Sequence, residues 1–213
     1  MVYKAAIFDL DGTLVSTEEK LRYKVVGDTL AEFGKKASKE VIDRFWYRGE
    51  RANLIKKEFG LEPTEFWEVF IKHDSAELRK SYTLPYEDVT FINKLRAAGI
   101  KIGLVTGAPT YIADVEIDLI GREKFDSIVV AHKKNGIRPK PDPHGIHICL
   151  KELGLTASDA IFIGNSDEDV LAARSVGMFD VVVDREEHDY TDLPHVPSLT
   201  VKSLFDLEKY FDL

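Results

Sequence analysis

Asp9 and Asp11 stand two residues apart in Asp9-Leu10-Asp11-Gly12-Thr13, directly after a short apolar run. In an extended segment that spacing turns both carboxylates to one side of the backbone. One can then act as a nucleophile and the other as a proton donor and acceptor. Gly12 permits a tight turn immediately after them. Such a pair suits the cleavage of a phosphate ester, whose negative charge repels anionic nucleophiles. That reaction needs a positioned attacking group, a cation to neutralise charge, and a proton for the leaving oxygen. Lys140 would supply fixed positive charge and Thr106 a hydroxyl donor.

Each of these residues has a plainer reading. Asp and Gly after a strand are ordinary turn residues. Lys140, between Pro139 and Pro141, is either a solvated loop lysine or a side chain held by the rigid backbone on both sides. Thr106 is a phosphate donor or a cap for the helix after Pro109, and both roles use free N–H groups at a helix start. What separates the readings is whether the fold gathers these residues at one edge.

The elements that would do so are legible as an alternation. Apolar runs at Lys4–Phe8, Lys101–Val105, Ser127–Val130, Ala160–Ile163 and Asp180–Val183 read as buried strands. Helical patterns at Glu87–Ala98, Pro109–Ile120, Pro143–Leu153 and Glu168–Val176 lie between them, and Ser203–Phe211 reads as a closing helix. Strand and helix in turn, with near-continuous apolar strands, predict a parallel sheet covered on both faces. Ligands of such sheets bind beyond the carboxyl ends of the strands. Asp9 follows the first strand; Thr106 and Gly107 follow the second; Gly164, Asn165 and Asp167 follow Ala160–Ile163; Lys140 lies in a loop before a helix.

One stretch breaks the alternation. Residues 17–82 carry helical patterns only: Thr17–Phe33 with Thr17 as its cap and Gly34 as its stop, Ser38–Phe59 interrupted near Gly49, and Thr64–Lys80 opening after Pro63. About 65 residues is far more than an ordinary strand-to-helix connection. The expected organisation is a core of residues 1–16 and 83–213 with a helical cap, 17–82, inserted just after Asp9 and hanging over the rim.

Composition bounds the function. The chain has 213 residues, 44% hydrophobic and 31% charged, with a formal net charge of −8. There is no basic tract, so nucleic acid has little electrostatic support as a partner. No stretch approaches the ~20 apolar residues of a membrane span. Cys149 is the only cysteine, which rules out an intrachain disulfide and fits a cytoplasmic location.

The motifs together resemble a known family. Asp9-Leu10-Asp11-Gly12-Thr13-Leu14 is similar to the signature of the haloacid dehalogenase-like hydrolases. Leu104-Val105-Thr106-Gly107 resembles the second motif of that family and Arg138-Pro139-Lys140-Pro141-Asp142-Pro143 its third. Gly164-Asn165-Ser166-Asp167-Glu168-Asp169 stands in the place of its fourth. Four motifs in order, each after its own strand, are specific where one alone would be weak.

The resemblance implies an α/β fold, a Rossmann-like parallel sheet core with an inserted α-helical cap. It implies a magnesium-dependent phosphatase working through an aspartyl-phosphate. Asp9 is then nucleophile and metal ligand, and Asp11 general acid and base with its backbone carbonyl on the metal. Thr106, Gly107 and Lys140 hold the transferring phosphoryl group, and Asn165 and Asp169 complete the Mg2+ site. Asn165 departs from the Asp the family often has there; an amide oxygen can ligate magnesium but brings no charge. The expected substrate is a small phosphorylated metabolite, phosphoglycolate or a sugar phosphate by analogy, handled by a monomer or small homo-oligomer. A sugar-phosphate mutase or a non-catalytic phosphoacceptor would keep the same residues.

Other residues stay open between roles. Val41, Phe45, Ala52, Ile55 and Phe59 share one face of a helical wheel, and Arg48 falls within it. Arg48 is either paired inside the cap or aimed at substrate, with Arg44 and Arg51 as weaker candidates. Asp167 caps the following helix or touches metal. His144 and His147, three apart, read as packing or surface residues in preference to ligands. Cys149 reads as core, and the charges of 185–192 as a solvated loop.

Overall fold

The computed structural model describes residues 2–47, 51–186 and 194–213. The chain forms two compact units, residues 1–16 with 84–213 and residues 17–83.

The first unit is built on a six-stranded parallel sheet. Its strands are β1 (Ala5–Phe8), β4 (Lys101–Thr106), β5 (Ser127–Val130), β6 (Ala160–Gly164), β7 (Phe179–Val183) and β8 (Leu199–Val201), in the order β5-β4-β1-β6-β7-β8. Register is set by β1, where Ala5 pairs with Lys101 on one side and Ala160 on the other. The chain lays β4 and β5 to one side of β1, then returns to lay β6, β7 and β8 on the other. The order therefore reverses at β1, and the crevice at the end of β1 is where such sheets bind ligands.

Alternate side chains divide the sheet between two apolar layers, as the pleat requires. Ala6, Phe8, Ile102, Leu104, Ile161 and Ile163 pack with α6 (Phe91–Ala97) and α7 (Thr110–Ile120). Ala5, Ile7, Val105, Ala160 and Phe162 pack with α8 (His144–Leu153) and α9 (Asp167–Ser175). Both faces are covered, which is why the strands read as unbroken apolar runs. Cys149 is fully buried in the second layer, and burial pushes its thiol up to about 12, so it packs as an apolar side chain.

The second unit is helical: α1 (Glu19–Glu32), α2 (Lys39–Tyr47), α3 (Arg51–Leu54) continuing into a π-helical turn at Ile55–Phe59, α4 (Pro63–His73) and α5 (Ala76–Tyr82). Its core gathers Leu21, Val25, Leu30, Ile42, Phe45, Ile55, Phe59, Phe66 and Phe70. The Phe45 ring lies 5.4 Å from that of Phe59 and 5.3 Å from that of Phe66. Edge and offset contacts of this kind add to area burial.

Several sequence expectations shift here. The short strands β2 (Val15–Thr17) and β3 (Thr83–Pro85) pair as a two-stranded sheet, and neither is long enough to show a period. Thr17 ends β2 instead of capping α1, whose cap position is Glu18, and its hydroxyl meets that of Thr83 at 3.4 Å. Pro63 is the first residue of α4 and not a residue before it, the place where a missing N–H costs nothing. The single helix expected at Thr64–Lys80 is two, because Ser75 starts a new one by accepting the Leu78 N–H at 3.2 Å. Ala52 is exposed, so the wheel drawn through Gly49 loses phase. The closing helix is a 3-10 helix, Leu204–Tyr210, and the strand β8 before it was not expected. Among the described residues no helix is long and apolar enough to cross a membrane.

Candidate active site

Asp9 is the first residue past β1, buried, with its N–H donating to the Ile163 carbonyl at 2.8 Å. The chain then folds on itself: the N–H groups of Thr13 and Leu14 donate to the Leu10 carbonyl, and that of Gly12 to the Val15 carbonyl. Gly12 has φ +76°, and a Cβ there would collide with the Asn165 side chain. Glycine is thus required twice, by the left-handed turn and by the amide lying against it. Asp11 is half-buried in this turn and bridges to Val15.

Asp169 reaches the same place from α9. Ser166 caps that helix and Asp169 is its third residue, so the two form a capping box. One Asp169 oxygen accepts from the Asn165 N–H at 3.1 Å, the Ser166 N–H at 3.0 Å and the Ser166 hydroxyl at 2.7 Å. Its carboxylate folds back over Gly164, where a Cβ would overlap it. The sequence placed Gly164 at the rim and in the fourth motif without a role of its own; the fold gives it one, leaving room for the Asp169 carboxylate.

Lys140 closes the group. Its Nζ lies 2.5 Å from Asp9 Oδ1 and 2.5 Å from Asp169 Oδ1, with the side chain only 8% exposed. The loop carrying it is tied to the start of α8: Arg138 N–H donates to His144 Nδ1 at 3.2 Å, His144 N–H to Asp142 Oδ1 at 3.0 Å, and Arg138 Nε to Asp142 Oδ2 at 2.6 Å. The Lys140–Pro141 peptide is cis. His144 thus anchors a loop, while His147 is exposed.

The electrostatics follow from two anions and one cation taken out of water. Burial pushes the Asp9 carboxyl up to about 7; Lys140 opposes the rise and Asp169 adds to it. Burial works against the Lys140 ammonium, but Asp169 and Asp9 outweigh it and hold the proton more firmly than usual.

Thr106 is buried at the end of β4, on the strand next to β1. Its hydroxyl accepts the Ala108 N–H at 3.1 Å, shaping the turn after the strand. It does not cap α7, whose cap position is Pro109. A Cβ on Gly107 would meet nothing within 4 Å, so its backbone borders open space. Two expectations fall elsewhere. Asp167 neither caps α9 nor joins the group; its carboxylate takes the His195 N–H at 3.0 Å and lies 3.0 Å from His195 Nδ1. Arg44 pairs with Glu58 at 3.0 Å in the helical unit, and Arg51 donates to the Trp46 carbonyl at 2.9 Å. Arg48 lies outside the described residues. Nor is Arg185 a solvated loop charge: its side chain is 6% exposed and pairs with Asp88 at 2.8 Å.

Among the described residues no three His, Cys, Asp or Glu side chains gather as a caged metal site. Two carboxylates, Asp9 and Asp169, do lie close enough to share one ammonium. They leave one uncompensated negative charge, and every nearby donor is oxygen or amide. A hard divalent ion held by one or two carboxylates, with water and substrate completing its shell, fits that donor set.

The chain matches the model of the haloacid dehalogenase-like hydrolases over residues 3–177. A protein of Caldanaerobacter subterraneus, provisionally named pyrophosphatase PpaX, is 31% identical over 192 residues, spanning 86% of this chain and 82% of its own. The phosphoglycolate phosphatase of Agrobacterium fabrum is 29% identical over 201 residues, spanning 90% of this chain and 83% of its own. A crystal structure from Lactobacillus delbrueckii, provisionally called a phosphoglycolate phosphatase, superposes with a TM-score of 0.81 over 99% of both chains at 24% identity, a likeness of fold. With the strand order, the gathered motifs and these matches in agreement, the chain belongs to the haloacid dehalogenase-like hydrolase family as a phosphatase-type member.

Proposed function

We propose that the chain is a magnesium-dependent phosphatase that cleaves a small phosphate ester through an aspartyl-phosphate on Asp9. The observation that carries this reading is the Lys140 ammonium held 2.5 Å from both Asp9 and Asp169 where the sheet order reverses. Asp9 attacks phosphorus in line and the ester oxygen leaves. Asp11 gives that oxygen its proton, then takes a proton from the water that splits the acyl phosphate. Lys140 and the Thr106 hydroxyl stabilise the charge that builds on the transferring group. Asp9, the Asp11 carbonyl, Asn165 and Asp169 would hold magnesium, which supplies charge neutralisation at the phosphoryl oxygens.

The helical unit, residues 17–83, acts in this reading as the cap that selects substrate and excludes bulk water. The names of the relatives support phosphoglycolate, an ester, and inorganic pyrophosphate, an anhydride, as first substrates to try, both small and multiply anionic.

Phosphate release from phosphoglycolate, a hexose phosphate, pyrophosphate and an aryl phosphate, with and without magnesium, tests the reading. Release that needs magnesium and disappears in Asp9→Asn supports it. An isomerised ester in place of free phosphate would convert the reading to a mutase. No turnover on any ester with magnesium present would refute it.

A further inference from the structure

The loop after β7 sends one side chain into the turn that carries the nucleophile. Arg185 stands two residues past the strand, at the same end of the sheet as Asp9. One of its terminal nitrogens donates to the Thr13 carbonyl at 2.5 Å, and the other to Asp88 Oδ2 at 2.8 Å. Its guanidinium lies over the Tyr86 ring, 4.0 Å from the centroid. Asp88 Oδ2 also takes the Leu204 N–H at 2.8 Å. The fork is therefore fixed on one side by a carboxylate that is itself fixed, and on one face by an aromatic ring.

What Arg185 grips is close to the chemistry. Thr13 is fully buried, and its hydroxyl points to Asp9 Oδ2 at 3.4 Å, while Asp9 Oδ1 faces Lys140. Thr13 is thus held at its carbonyl by Arg185 and reaches the nucleophile carboxylate with its hydroxyl. The next residue, Leu14, accepts the Tyr86 N–H at 3.0 Å, so the neighbours of Asp88 also brace the turn. A buried guanidinium is costly to place. One spent on a backbone carbonyl in this turn, when Asp88 alone would satisfy its charge, fits a demand for precision in the turn.

We propose that Arg185 is a positioning residue for catalysis, which fixes the orientation of the Asp9 carboxylate through Thr13 without touching substrate. This rests on Asp9 being the nucleophile. With magnesium saturating, substrate binding is less sensitive to the angle of that carboxylate than in-line attack is.

Steady-state kinetics on an aryl phosphate with magnesium, together with thermal melting, tests this on the full chain. Arg185→Met is expected to lower kcat about tenfold or more with KM within about twofold of wild type. Arg185→Lys, which keeps the charge at Asp88, and Asp88→Asn, which keeps an acceptor for Leu204, should each lose less. They carry the test if the Met variant fails to fold. Thr13→Val removes the hydroxyl and leaves the carbonyl. If Arg185 acts through Thr13, the double variant loses no more kcat than the worse single one.

Three results would overturn the proposal: unchanged kcat in every folded Arg185 and Asp88 variant, losses that follow the fraction folded, or losses that multiply in the double variant. The Asp9→Asn control separates the two levels. Activity in that control breaks the nucleophile reading itself, and its absence with multiplying losses breaks only the role of Arg185.

Discussion

Each unit buries a cluster of charge, and the two clusters are built differently. In the helical unit Arg79 meets Asp74 through two bonds of 2.7 and 3.1 Å, both side chains at most 6% exposed, with the guanidinium over the Trp46 ring. Among the described residues Arg79 grips Asp74 in fork geometry, as a structural pair should. In the α/β unit one cation, Lys140, is shared by two anions, Asp9 and Asp169. Among these three groups that leaves one negative charge in excess, and burial pushes the Asp9 carboxyl up to about 7, with Asp169 adding to the rise. The forked pair serves the fold. The unbalanced one works against the fold, which fits the cation and the reaction proposed for it, because shifted pKa values gather where they serve function.

The sharpest way to break this contrast is at the cations. Lys140→Met should lower kcat by roughly a hundredfold to a thousandfold, since it removes the fixed charge beside the nucleophile. Phosphate release measures it, and a loss below about tenfold would place Lys140 among structural residues. In the helical unit the consequence moves to stability. Asp74→Ala removes the carboxylate that the buried Arg79 grips with two bonds and should cost about 3 kcal/mol of folding free energy, read by urea denaturation. A cost near zero would remove the structural half of the comparison.

Asp9→Asn sharpens the contrast in the opposite direction, because it leaves Lys140 and Asp169 as a balanced pair. In magnesium-free protein it should stabilise the fold, and the effect should depend on pH with a definite sign. Below pH 3.8 the carboxyl keeps its proton in both folded and unfolded chains, so the variant gains nothing. From there to about 7 the unfolded chain alone ionises, and wild-type stability falls as pH rises. Above about 7 the gain in the variant is constant, at most about 4 kcal/mol. Melting curves in a chelator from acid to mild base check this, and a variant less stable than wild type at neutral pH would contradict it. The smallest effect is expected at Asn165. Asn165→Asp adds a charge at the mouth of the site and should lower the magnesium concentration for half-maximal activity several-fold. An unchanged or higher midpoint would put Asn165 away from the ion.

The α/β half of this contrast was legible in the sequence. The central strands are covered on both faces, so β1, β4, β5, β6 and β7 appear as apolar runs ending in Asp9, Thr106 and Gly164. The motif residues lie at strand ends, where local pattern and topology coincide. What was hidden depends on contacts between distant segments. Arg185 looks like a loop charge until the fold brings Thr13 and Asp88 to it from 172 and 97 residues away. Asp167 looks like a helix cap, but Ser166 takes that place and His195 takes Asp167. The pair Asp74 and Arg79 spans a helix start that Ser75 makes, inside what the period alone joins into one helix. The strands β2, β3 and β8 have three residues each, too few for any period to show.

The most direct test is to find the covalent intermediate. The enzyme is mixed with magnesium and an ester labelled in its phosphoryl group, stopped in acid within the first turnover, digested, and searched by mass spectrometry for the labelled peptide. The label is expected on Asp9, in the peptide that carries Asp9-Leu10-Asp11, and absent from Asp9→Asn. A wild-type enzyme that releases phosphate without ever carrying label on Asp9, or an Asp9→Asn protein that turns over at the wild-type rate, would contradict the account.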